Sequence, residues 1–153
     1  MEKDFSVPMS RPEIGQEEIE AVLTTLKSGW PSQGKITVEF ESLLSEYLSS
    51  NVVVVNNGSS ALMCALLAEG VKPGDKVIVP SFTFIATSSI PKILGAEIIV
   101  ADIDPITMNI SPDSVEAIVK KTDVKSVIIV DVGGLSADID RFTELSKKYK
   151  FKL

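Results

Sequence analysis

Apolar residues recur along this chain with two periods, and the switches between the periods lay out its elements. Ile19, Val22, Leu23 and Leu26 are spaced for one face of a helix near Gln16–Ser28, which Gly29 stops. Before it, Pro8-Met9-Ser10-Arg11-Pro12 cannot be a helix interior, so residues 1–15 read as an extended polar arm. Phe40, Leu43, Leu44, Tyr47 and Leu48 form a second stripe, in a helix near Ile36–Leu48. Val52–Val55 is too short for a helix and wholly β-branched, and reads as a buried strand. Residues Ser59–Glu69 carry an unbroken apolar run from Ala61 to Ala68. A helix apolar all round is expected to be buried on most sides, which makes Cys64 a small core residue.

Gly70 and the turn Lys72-Pro73-Gly74-Asp75 lead into a strand at Lys76–Val79. Thr83–Leu94 reads as a helix that Pro91 kinks or shortens, and Glu97–Ala101 as the third strand. Ser111, Pro112 and Asp113 are the cap, first position and first turn of a helix with Val115, Ile118 and Val119 inward. Ser126–Val130 is the fourth strand. Asp138 caps a last helix whose Ile139, Phe142, Leu145 and Tyr149 face inward. The alternation of strands and helices implies an α/β fold: a mostly parallel sheet, helices on both faces, right-handed crossovers. Residues 1–50 are expected to form an arm and two helices, and residues 51–153 the sheet domain. Ligands of such sheets bind beyond the carboxyl ends of the strands, where the loops Asn56–Ser60, Pro80–Phe84, Asp102–Asp104 and Asp131–Gly134 fall.

Composition narrows the chemistry. With 44% hydrophobic and 24% charged residues, the chain is globular rather than disordered. A net charge of −6 argues against a nucleic-acid partner, because phosphate backbones select basic surfaces. One cysteine and no histidine remove an internal disulfide, the Ser-His and Cys-His nucleophile systems and most zinc sites, so no metal is expected. No apolar run reaches the roughly 18–20 residues of a membrane span. Met1-Glu2-Lys3-Asp4 does not lead into a signal-peptide core. A cytoplasmic protein without membrane partners is expected.

Gly58-Ser59-Ser60 carries two readings. Glycine admits close backbone approach, serine hydroxyls donate, and a helix N-terminus favours an anion, so a phosphate fits. The same residues also make an ordinary strand-to-helix turn with a serine cap. Phe82 and Phe84 are core residues or rings presented to a ligand. Trp30 is a packing anchor or a pocket wall. Asp102 and Asp104 form a turn, or an acid–base or metal pair. Asp131, at the end of the fourth strand, stands at a ligand-facing position.

With these residues in view, the chain resembles the N-terminal part of the DegT/StrS family of sugar aminotransferases, pyridoxal-phosphate enzymes of the aspartate aminotransferase fold (fold type I). The resemblance runs from Pro8 to Leu153. It is carried by Ser10–Gly15, Ser28-Gly29-Trp30 with Gln33-Gly34, Asn57–Leu62, Lys72–Phe84, Asp102-Ile103-Asp104 and Ala137–Asp140, in that order and spacing. It implies pyridoxal 5′-phosphate as cofactor, with Gly58, Ser59 and Ser60 at its phosphate and Phe84 stacked on its ring. It places Trp30 and Gln33 beside the substrate, often from a neighbouring subunit. The reaction implied passes an amine to a keto group of a nucleotide-linked sugar, as in polysaccharide or other amino-sugar biosynthesis. A homo-oligomer is implied as well.

Two departures accompany the resemblance. The family's Val-His-x-x-Gly stretch is here Val130-Asp131-Val132-Gly133-Gly134. Family members also continue past Phe151-Lys152-Leu153 into a strand bearing the aspartate that pairs with the pyridine nitrogen, then the Schiff-base lysine, then a small domain. No lysine here occupies that motif position, so these residues contain no catalytic group of their own. The chain is expected to bind the cofactor weakly or not at all and to be inactive alone. It is read as a truncated enzyme, as one piece of a split enzyme completed by a C-terminal polypeptide, or as a non-catalytic interaction or ligand-binding module. Val52–Val55, without its family neighbours in the sheet, is expected to pair beside Ser126–Val130 or with another subunit.

Overall fold

Lys76-Val77-Ile78-Val79-Pro80 has no polar alternation, as befits a strand covered on both faces. In the computed structural model, which describes residues 10–153, it is the central strand β1 (Lys76–Pro80). β1 pairs in parallel with β2 (Glu97–Ala101) over five positions, from Lys76↔Glu97 to Pro80↔Ala101. On its other edge it pairs in parallel with β3 (Ser126–Val127), and the order is β2-β1-β3. The chain divides between Val54 and Val55 into two compact units, and the sheet belongs to the second.

The period of two along each strand sends alternate side chains to opposite faces. Val77 and Val79 pack with Leu66 of α3 (Gly58–Ala68) and Ile90 of α4 (Ala86–Ile93), joined by Ile98 and Ile128. Ile78, Ala101 and Val127 pack on the other face. They meet Val115 and Val119 of α5 (Pro112–Val119) and Phe142 and Leu145 of α6 (Ile139–Tyr149). The α/β reading therefore holds, with helices on both faces of a parallel sheet.

The capping signals hold too. The Ser111 hydroxyl accepts from the Ser114 N–H at 3.4 Å, Pro112 opens α5, and the Asp138 carboxylate accepts from the Arg141 N–H at 3.1 Å. Pro91 is accommodated by a short α4 of 8 residues. That helix begins at Ala86 rather than Thr83, because residues 83–85 still belong to the loop after β1. The fourth expected strand is shorter than Ser126–Val130. Past Val127 only the Ile128 N–H continues the ladder, to the Ile78 carbonyl at 2.9 Å. A single parallel bridge from Ser126 to Lys152 lies on its far edge.

Three expectations fail. Val52–Val55 is not a strand and is not paired with β3, which pairs with β1 and bridges to Lys152. Its donors go to α2 (Lys35–Leu48): the Val52 N–H reaches the Ser45 hydroxyl at 3.1 Å and the Val54 N–H the Glu41 carboxylate at 3.0 Å. Val53 is 80% exposed, so water serves the backbone that a sheet would otherwise have to pair. Second, α3 is not buried on most sides. Leu66 alone is fully buried, Leu62 and Met63 pack against the same cluster, and Ala61, Cys64, Ala65 and Leu67 are exposed. Cys64 is thus a surface thiol, because α3 meets the sheet along one stripe only. Third, Ile139 at the start of α6 stays 42% exposed, while Phe142 and Leu145 are buried as expected.

In the first unit, the helices α1 (Gln16–Lys27) and α2 form where the periodicity places them. Neither buries a residue, so their stripes are amphipathic faces that local pattern alone has produced. No helix among the described residues is long and apolar enough to cross a membrane.

A charge cluster joins α5 to α6. Glu116 accepts from Lys148 Nζ and from the Tyr149 hydroxyl, each at 3.1 Å, and Lys120 lies 3.4 Å away on its own helix. Arg141 pairs with Asp113 beside it. The Lys148 hydrogen bond foremost, then that of Tyr149, lowers the Glu116 pKa from 4.5 to about 2. A lowered folded-state pKa stabilises above the unfolded value and ceases to do so as pH falls through the folded one. Glu116→Gln should therefore melt below wild type above pH 4.5, with the gap closing as pH falls to about 2. Thermal melts across that range check it. Phe142, with no exposed surface, fixes α6 to the sheet, so Phe142→Ala should cost about 3–5 kcal/mol in urea unfolding.

Candidate functional site

The strands are parallel, so the loops after β1, β2 and β3 share one end of the sheet. α3 joins the same end. It packs on Val77 and Val79 and turns through a short link into β1, which directs its N-terminus toward the carboxyl end of that strand. Four features meet there: the start of α3, the Ser81–Ile85 loop, the turn after β2 and the loop after β3.

At the start of α3 the helix cap is not a serine. Asn57 Oδ1 accepts from the Ser60 N–H at 2.8 Å, and the Asn57 carbonyl accepts from the Ala61 N–H at 3.1 Å. Asparagine does the capping, and the hydroxyls of Ser59 and Ser60, both half-buried, are left for another partner. Among the described residues, the N–H groups of Gly58 and Ser59 meet no protein acceptor. Nothing stands within 4 Å of where a Cβ on Gly58 would be, so the space ahead of the helix is open. Unpaired donors, a helix N-terminus and room beside them suit an anion the size of a phosphate.

The loop after β1 holds its shape through the Thr83 and Thr87 hydroxyls, 2.8 Å apart. Phe82 and Phe84 are not core residues: they are 49% and 74% exposed. Phe84 thus presents a bare ring beyond the carboxyl end of β1.

Two carboxylates here, those of Asp104 and Asp131, are engaged by backbone N–H groups. Asp104 Oδ1 accepts from the N–H groups of Ile106 at 2.9 Å and Thr107 at 2.8 Å, closing the turn after β2; these bonds hold its pKa below the usual carboxylate value. For Asp104 the turn reading holds. Asp131 Oδ1 accepts from the Ala137 N–H at 2.8 Å. Asn109, which the sequence reading did not single out, is a buried polar residue of this region at 4% exposure. Its one signal was a lone amide between the apolar Met108 and Ile110.

Trp30 and Gln33 belong to the first unit. The Trp30 indole N–H donates to the Gln33 carbonyl at 2.9 Å, and the ring is 64% exposed. Gly34 makes this possible: a Cβ there would stand 2.6 Å from Trp30 Cδ1.

The sequence profile of the DegT/DnrJ/EryC1/StrS aminotransferase family matches residues 12–153. The chain belongs to this family. It is 38% identical over 148 residues to the spore coat polysaccharide biosynthesis protein SpsC of Bacillus subtilis (strain 168), covering 96% of this chain and 38% of SpsC. Among solved structures it is similar to the PLP form of Spr1654 from Streptococcus pneumoniae, a protein assigned as a sugar aminotransferase. The TM-score is 0.84 at 36% identity, over 96% of this chain and 38% of that one. It is also similar to 3-amino-5-hydroxybenzoic acid synthase, with a TM-score of 0.84 at 32% identity over 93% of this chain and 38% of that one. The chain therefore spans under two-fifths of the length of these relatives.

The indole seat yields a direct prediction. Gly34→Ala should push the ring off the backbone, seen as a red-shifted and more readily quenched emission from the single tryptophan.

Proposed function

We propose that this chain supplies the phosphate-binding part of a pyridoxal 5′-phosphate site in an aminotransferase acting on a nucleotide-linked keto-sugar. The observation that carries the reading is the α3 N-terminus, where Asn57 takes over capping and leaves the Gly58 and Ser59 N–H groups and two serine hydroxyls unspent. Family membership supports the cofactor: a structural neighbour of the chain is described in its PLP form. The sugar substrate rests on the likeness to SpsC and Spr1654.

In this reading Gly58, Ser59 and Ser60 hold the phosphate through backbone N–H groups and hydroxyls, aided by the helix dipole. Phe84 offers its exposed face to the ring. Trp30 and Gln33 serve the substrate, an exposed indole beside an exposed amide suiting a sugar with both apolar faces and hydroxyls. When bound, the cofactor supplies an electron sink, and the protein supplies orientation and charge. In this reading none of the lysines present anchors the cofactor, and these residues hold it reversibly.

An absorbance titration with pyridoxal 5′-phosphate, followed by borohydride reduction and peptide mass mapping, tests this. The spectral change should saturate, inorganic phosphate should compete with it, and Ser59→Ala or Ser60→Ala should weaken it about tenfold, as expected for a lost hydrogen bond to a charged group. A stoichiometric adduct on one lysine would overturn the reversible mode. Indifference to phosphate would overturn the phosphate cup.

A further inference from the structure

Past β3 the chain turns through Asp131–Leu135, with a tight 3-10 turn at Val132–Gly134. Gly133 and Gly134 stand at φ 63° and 84°, in the left-handed region that side chains disfavour. Nothing lies within 4 Å of a Cβ on either, so their backbone borders open space. Among the described residues the Gly133 N–H meets no acceptor within the chain.

This exposed turn is clamped from behind. Asn109 uses both ends of its amide on it: Oδ1 accepts from the Val132 N–H at 2.9 Å, and Nδ2 donates to the Leu135 carbonyl at 2.8 Å. Asp131 Oδ1 adds the bond to the Ala137 N–H on the far side. Asn109 is itself fixed by its backbone, whose carbonyl accepts from the Asp104 N–H at 2.8 Å, and it follows Met108 at a φ of 61°. Burying an amide is costly unless its groups are satisfied. Here both ends are spent on backbone atoms more than twenty residues away. The outcome is a rigid, open glycine ledge beyond β3, and β3 is the neighbour of β1, whose own loop presents Phe84.

We infer that Asn109 is a positioning residue: it holds the Gly133–Gly134 backbone as a fixed wall for the ring portion of the cofactor, apart from the phosphate cup. This rests on the reading of α3 given above and adds a second contact region to it. Asn109 touches no ligand itself and acts through the turn it clamps.

Amide spectra of the 15N-labelled chain, titrated separately with inorganic phosphate and pyridoxal 5′-phosphate, separate the two claims. Both ligands should move the amides of Gly58–Ser60, and pyridoxal 5′-phosphate alone should move those of Gly133 and Gly134. Asn109→Ala should leave the phosphate response at Gly58–Ser60 intact and abolish the ring-specific response. It should also weaken pyridoxal 5′-phosphate about tenfold, toward the affinity of phosphate. Asn109→Asp keeps the acceptor for Val132 and should fall between. If pyridoxal 5′-phosphate moves Gly58–Ser60 but not Gly133 and Gly134 in the wild-type chain, the positioning role is wrong and the phosphate cup stands. That comparison decides even where a variant does not fold. If Asn109→Ala weakens phosphate as much as pyridoxal 5′-phosphate, Asn109 is merely structural and the inference fails. If neither ligand moves Gly58–Ser60, the cup and the inference built on it both fail.

Discussion

The second unit depends on β1 being hydrogen-bonded along both edges while Val77, Ile78 and Val79 are sealed from water on both faces. A strand so covered cannot leave its peptide groups unpaired without a penalty of several kcal/mol. Pairing and burial are therefore one event. Each of the three side chains contributes on the order of 1.5–3 kcal/mol by leaving water, but only because β2 and β3 supply the ladder. The functional consequence is directional: parallel pairing collects the loops after all three strands at one end, and packing α3 on β1 brings a helix N-terminus to it.

At that end, polar groups divide into those already engaged and those left over. Asp104, Asp131 and Asn57 are engaged, each accepting from backbone N–H groups of its own neighbourhood. The donors of Gly58 and Ser59, the serine hydroxyls and the glycine ledge past β3 are left over. A site for an anion with an aromatic body needs that division: donors free where charge will sit, and acceptors tied down where they would repel it.

The alternation of apolar runs made the layer order and the sites of the helix caps at Ser111 and Asp138 readable, because capping and strand burial act over a few residues. Gly58–Ser60 and Phe84 were readable as candidates by residue type and by resemblance. Less visible was the use of Asn57 rather than a serine as the cap, which decides whether the hydroxyls are free, and the clamping role of Asn109 was not visible. Its partners Val132 and Leu135 are more than twenty residues distant, and no local pattern encodes that pairing. Val52–Val55 marks the opposite error. Its composition suits a strand, but a strand exists only with a partner, and α2 side chains took its donors instead.

The sequence by itself determined where α1, α2, α5 and α6 start and which turn residues fall at the carboxyl end of the sheet, since these follow from propensity, period and capping over short range. Tertiary structure alone decided which apolar faces are covered. α1 and α2 carry apolar stripes at helical spacing, as α6 does, yet Phe142 and Leu145 of α6 are buried while α1 and α2 bury no residue. The physical reason is that amphipathicity is a property of one element, whereas burial belongs to a pair.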